Sequence, residues 1–118
     1  MDLSAEDAKL VTLARATRAR IQADQGAAVR DADGRTYAAA SVDLPSLALS
    51  ALQVCVAMAV ASGSRGLAAA VLLANADVDG DHDVLADVDR AALTDFGGAG
   101  TIVHLGDPRG TIAATVTT

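Results

Sequence analysis

The densest run of chemistry-bearing side chains is Asn75-Ala-Asp-Val-Asp-Gly-Asp-His-Asp83, where oxygen donors fall at alternate positions and a glycine sits sixth. A calcium loop uses that pattern, because alternate carboxylates can surround one cation while glycine permits a sharp bend. Such a loop closes on a bidentate Glu at its twelfth position, but here the twelfth residue is Ala86 and the eighth is His82. The segment therefore reads as an acidic loop leading into a helix. Asp83, Asp87 and Asp89 continue the run. Helical spacing puts Asp83 and Asp87 on one face, which could hold a hard cation such as Mg²⁺ and is equally the pattern of a solvated face.

The remaining reactive groups are scattered. His104 stands in a short apolar run, and His82 beside the acidic loop. Cys55 is the only cysteine and lies in the most apolar stretch of the chain. There a thiol acts as a small core residue rather than a nucleophile. Arg15, Arg18 and Arg20 make the end of a first helix basic, as solvated cations at a helix C-terminus do.

These groups must be positioned by 118 residues, enough for one domain over residues 1–118 with a real core. The chain is 52% hydrophobic yet holds one Phe, one Tyr and no Trp, so Ala, Val, Leu and Ile must fill that core. A net charge of −6 and the near absence of aromatic side chains exclude a broad phosphate-binding surface or base-stacking platform, so nucleic acid is not an expected partner. The acidic N-terminus, Met1-Asp-Leu-Ser-Ala-Glu-Asp-Ala8, has no charged-then-apolar signal pattern, and a cytoplasmic location is expected.

Ser4-Ala-Glu-Asp7 opens a helix, with Leu10, Leu13 or Ala14, Thr17 and Ile21 at helical spacing. Gly26–Arg30 and Thr36–Val42 are β-compatible runs joined by Asp31-Ala-Asp-Gly34, which fits a hairpin turn. From Leu47 to Ala61 only Ser50 and Gln53 are polar, so the spacing predicts a buried central helix that begins near Pro45 and stops at Gly63. It is shorter than the roughly 18 to 20 residues a bilayer demands and lacks basic flanks, so it is not read as a membrane span. Partner subunits are its natural cover. Leu67–Leu73 reads as a strand, Val84–Phe96 as a helix, and Thr101–Leu105 and Thr111–Val116 as two further strands. That order predicts an α/β fold with a mixed, roughly five-stranded sheet covered by helices.

The order of elements and several local strings resemble the cytidine deaminase family. Its Gly-Ala-Ala strand, Asp-Gly turn and Asn-Val-Glu strand end correspond to Gly26-Ala-Ala28, Asp33-Gly34 and Ser41-Val-Asp43. Its Cys-Ala-Glu-Arg motif falls on Ser50-Ala-Leu-Gln53. Its Pro-Cys-Gly-x-Cys-Arg-Gln-x-Leu-x-Glu-Phe motif falls on Leu85-Ala-Asp-Val-Asp-Arg-Ala-Ala-Leu-Thr-Asp-Phe96. The resemblance runs from about Gly26 to about Gly110 and implies a three-layer α-β-α fold.

Zinc deaminases bind Zn²⁺ through three Cys or His ligands and use a non-ligand Glu to move protons. By the resemblance, Ser50, Ala86 and Asp89 replace the ligands and Leu52 replaces the Glu. A hydroxyl, a methyl and one carboxylate do not make a three-ligand zinc site, and leucine accepts no proton. The expectation is therefore a non-enzymatic, zinc-free relative with a structural or regulatory role. It is expected to be a homo-dimer or homo-tetramer formed through the helix around Leu49 to Val60. Ser41 and Asp43 stand at the family's substrate-binding positions, which leaves as the alternative a nucleoside-binding protein or a nucleoside deaminase-related enzyme with a non-family active site.

Overall fold

The structure, a computed structural model, describes residues 3–75 and 85–118. The acidic run with Asp77, His82 and Asp83, and the calcium and Mg²⁺ expectations that depend on it, lie outside the described residues.

Helix α1 (Ala5–Ile21) starts at Ser4, whose side chain accepts the Asp7 N–H as the opening string predicts. Strands β1 (Gln25–Asp31) and β2 (Thr36–Ala40) form the expected hairpin. A second, small hairpin follows, β3 (Val42–Leu44) with β4 (Leu47–Leu49), and leads into α2 (Ala51–Ala61). Then come β5 (Leu67–Ala74), α3 (Asp87–Gly97), β6 (Ile102–Gly106) and β7 (Ile112–Thr117).

Five strands form one sheet in the order β2-β1-β5-β6-β7. Among the described strands only β5 and β6, joined through α3, run parallel, so the sheet is mixed as expected. Both faces are covered, which explains why β1 and β5 are apolar without alternation. On one face Ala28, Ala69, Val71 and Leu73 pack with Leu10 and Ala14 of α1. On the other, Ala27, Val29, Ala70, Leu72, Val103 and Leu105 pack with Leu52 and Cys55 of α2 and Leu93 of α3. The result is the three-layer α-β-α arrangement.

Close approach of α1 to β1 explains Gly26. A Cβ there would stand 2.4 Å from the Ala14 carbonyl oxygen and 2.5 Å from Arg18 Cβ, so the first letter of the Gly-Ala-Ala string is a packing requirement.

The central helix corrects the sequence reading. Leu47–Leu49 is strand, and α2 begins only after Ser50. Pro45 belongs to the connection between β3 and β4 rather than to a helix start. An apolar Leu-Ala-Leu run suits either state, and the capping box of Ser50 with Gln53 fixes the true beginning. Nor is α2 enclosed on every side within one chain: Ala57, Val60 and Ala61 are exposed. Helix α3 likewise starts at Asp87, with Leu85 and Ala86 outside it. On α1, Leu13 points away from the sheet because it lies about 100° round the helix from Ala14.

One charged network is buried under α1. Asp7 accepts from His104 Nε2 at 2.8 Å and pairs with Arg30 Nη2 at 3.0 Å, while His104 Nδ1 meets Thr115 Oγ1 at 2.8 Å. A single carboxylate thus ties α1 to β1 and β6. Burial works against its charge, but the contacts with His104 and Arg30 outweigh that and hold the carboxyl below its ordinary range.

Candidate functional site

The positions that carry the family resemblance meet at the first turns of two neighbouring helices. Ser50 is the N-cap of α2, and Leu52 lies in its first turn. Ala86 is the N-cap of α3, and Asp89 lies in its first turn. The fold brings Ser50 and Asp89, 39 residues apart in sequence, into direct contact: the Ser50 hydroxyl donates to Asp89 Oδ1.

Ser50 is fully engaged. Its Oγ also accepts the Gln53 N–H at 3.1 Å, and its own N–H donates to Gln53 Oε1 at 2.9 Å, completing a reciprocal cap. The next donor of the helix, Ala51 N–H, is taken by Gln25 Oε1 at 3.0 Å. Backbone donors that a helix start leaves unpaired are thereby met by side chains of this chain. Asp89 is 1% exposed, and burial pushes its carboxyl above the ordinary range, against the lowering effect of the Ser50 hydrogen bond. It turns to Ser50 and does not cap its own helix, which has no side-chain cap.

Leu52 is fully buried in the core cluster shared by the sheet, α2 and α3. Ala86 is exposed and contributes only a methyl group. A zinc ion needs deprotonated sulfur, imidazole or carboxylate donors, usually at least three from the protein. Of the four residues only Asp89 carries such a donor, and its Oδ1 accepts from Ser50. Among the described residues, these four positions do not supply a three-ligand zinc site. Cys55 supplies no alternative at the helix start: it is fully buried, and burial pushes its thiol up to about 12. His104 is engaged by Asp7 and Thr115 on the α1 side of the sheet, whereas α2 and α3 pack on the other side.

Beside Ser50 opens a cleft of about 340 Å³ whose polar lining is Asp24, Gln25, Ser41, Asp43, Ser50 and Gln53. Leu49 and Val88 are among its apolar walls. Both residues expected to touch a substrate, Ser41 and Asp43, are therefore in one place. Ser41 also has a structural task, since its Oγ accepts the Gln25 N–H and its own N–H donates to the Gln25 carbonyl, each at 3.1 Å. That exchange marks the break between β2 and β3.

The sequence reading missed Asp24, Gln25 and Gln53 as site residues. The Ser-x-x-Gln spacing of Ser50 and Gln53 is a capping-box signal that marks Gln53. Gln25 had no local signal, because its partner Ala51 is 26 residues away.

Comparison with known proteins bears on the fold and the family. A family profile described as cytidine deaminase-like matches residues 3–110. The fold is that of the cytidine deaminase from Burkholderia pseudomallei, with a TM-score of 0.78 at 20% identity over 98% of this chain and 93% of that one. The enzyme from Mycobacterium leprae gives 0.71 at 24% identity over 98% and 94%. The enzyme from Mycobacterium tuberculosis gives 0.69 at 23% over 85% of each chain. A search of curated proteins finds no match. With a family profile matching residues 3–110 and a three-layer fold shared with solved cytidine deaminases, the chain belongs to the cytidine deaminase-like family.

Proposed function

We propose that this chain is a cytidine deaminase-like protein that neither binds catalytic zinc nor deaminates cytidine, and that it serves a structural or regulatory role as a homo-oligomer. The observation that carries the reading is the Ser50–Asp89 hydrogen bond. It links the starts of α2 and α3 where, by the family resemblance, zinc ligands would stand. Leu52 fills the position of the proton-shuttling carboxylate with core. Without a metal to generate hydroxide or a base to move its proton, attack on a pyrimidine ring has no driving group.

Self-association is supported by the uncovered side of α2, where Val60 is 53% exposed beside exposed Ala57 and Ala61. Burying that face in a second copy removes apolar surface from water. Incubating the purified protein with cytidine and following uridine formation tests the main reading. No conversion is expected, and turnover that tracks protein concentration through purification contradicts it.

A second reading is favoured by one observation, the persistence of the cleft with Ser41 and Asp43 in its wall. On that reading the chain binds a nucleoside without converting it. Selective stabilisation in a thermal-shift screen of nucleosides supports this reading, because a ligand raises the melting temperature by binding the folded state.

A further inference from the structure

The two glutamines at the start of α2 have side-chain orientations imposed by the backbone. Gln25 Oε1 accepts the Ala51 N–H at 3.0 Å, and Gln53 Oε1 accepts the Ser50 N–H at 2.9 Å. Only the oxygen end of a carboxamide can meet a backbone N–H. Flipping either amide would set donor against donor, so the network decides which end is which. The –NH₂ is then the end of each side chain left to a ligand, and both glutamines line the cleft beside Ser50. Asp24 and Asp43 line the same cleft, and carboxylates there would accept from ligand hydroxyl or N–H groups and repel anions.

We infer that Gln25 and Gln53 set the ligand preference of this cleft, presenting two fixed –NH₂ donors that favour an uncharged, carbonyl-bearing pyrimidine nucleoside over its amino-substituted counterpart. The inference rests on the nucleoside-binding reading of the cleft given above. The 2-carbonyl is common to uracil and cytosine, so the preference is set where a fixed –NH₂ faces ring position 4: there the uracil carbonyl accepts from it, whereas the cytosine amino group meets it as a second donor. A mispaired donor loses its hydrogen bond to water without replacement, so the discrimination is one-sided. The neighbouring hydroxyl adds no equivalent preference, because Ser50 already donates to Asp89.

Isothermal titration of the full chain with uridine and with cytidine tests this, using the wild type, Gln25→Glu and Gln53→Glu. Each Glu keeps an oxygen to accept the backbone N–H at the helix start and exchanges the –NH₂ donor for a charged carboxylate oxygen, an acceptor that suits the cytosine amino group. Uridine is expected to bind on the order of tenfold more tightly than cytidine. The preference should fall in both variants while their melting temperatures stay near that of the wild type. Cytidine bound as tightly as uridine, or a uridine preference undiminished in both variants, overturns the inference and leaves nucleoside binding standing. Binding of neither nucleoside overturns the cleft reading and the inference with it. The wild-type comparison decides the preference even where a variant unfolds.

Discussion

Two aspartates in this chain respond to pH in opposite directions, and both responses follow from what surrounds them. Asp89 is buried and, among the described residues, meets only a hydroxyl partner, so burial raises its carboxyl. A raised carboxyl favours the fold when protonated: its contribution is complete below the ordinary carboxylate pKa and is lost as pH rises through the raised value. Asp89→Asn keeps an oxygen to accept from Ser50 and removes the charge. It should therefore raise the urea midpoint at neutral pH, measured by circular dichroism, and a lower midpoint would contradict this assignment. Ser50→Ala removes the N-cap and leaves Asp89 without its partner, at a cost of about 1–3 kcal/mol in the same assay. Asp7 has the opposite sign. Its lowered carboxyl contributes stability above the ordinary carboxylate pKa, lost as pH falls through the folded value. Asp7→Asn should flatten the acid limb of the stability profile, and an unchanged acid limb would show that the network with His104 and Arg30 does not govern it.

At the scale of elements, α2 is the part whose limits were hardest to read. The strands β1, β5 and β6 were legible because runs such as Ala27-Ala-Val29 and Val71-Leu-Leu73 are short, apolar and bounded by turn residues. Leu47-Ala-Leu49 is apolar too, but it adjoins the helix without a break in hydropathy. Periodicity therefore could not separate β4 from α2, while the Ser50 and Gln53 cap could. The site was half legible for a related reason. Ser50 and Asp89 were placed by motif resemblance, but their contact spans 39 residues and the Asp7–His104 contact spans 97, distances over which sequence spacing says nothing about approach. Gly26 is the element-scale test of the docking between α1 and β1. Gly26→Ala forces a methyl against the Ala14 carbonyl and should destabilise the protein by roughly 1–3 kcal/mol. An unchanged midpoint would mean that α1 moves away from the sheet without penalty.

For the whole molecule, the same α2 that anchors the core at Leu52 and Cys55 presents Ala57 and Val60 outward, so one helix serves both the fold and its proposed assembly. Val60→Glu would place a charge in that proposed contact and should shift the protein toward monomer in light scattering after size exclusion. An unaltered mass for an oligomeric wild type would locate the contact elsewhere. No helix among the described residues is long and apolar enough to cross a membrane. The family fold is retained around a helix-to-helix hydrogen bond at the positions where, by the resemblance, a metal would be held. Elemental analysis of tag-free protein reaches that claim most directly. Well below one zinc per chain is the predicted result, and near-stoichiometric zinc that survives dialysis would contradict it.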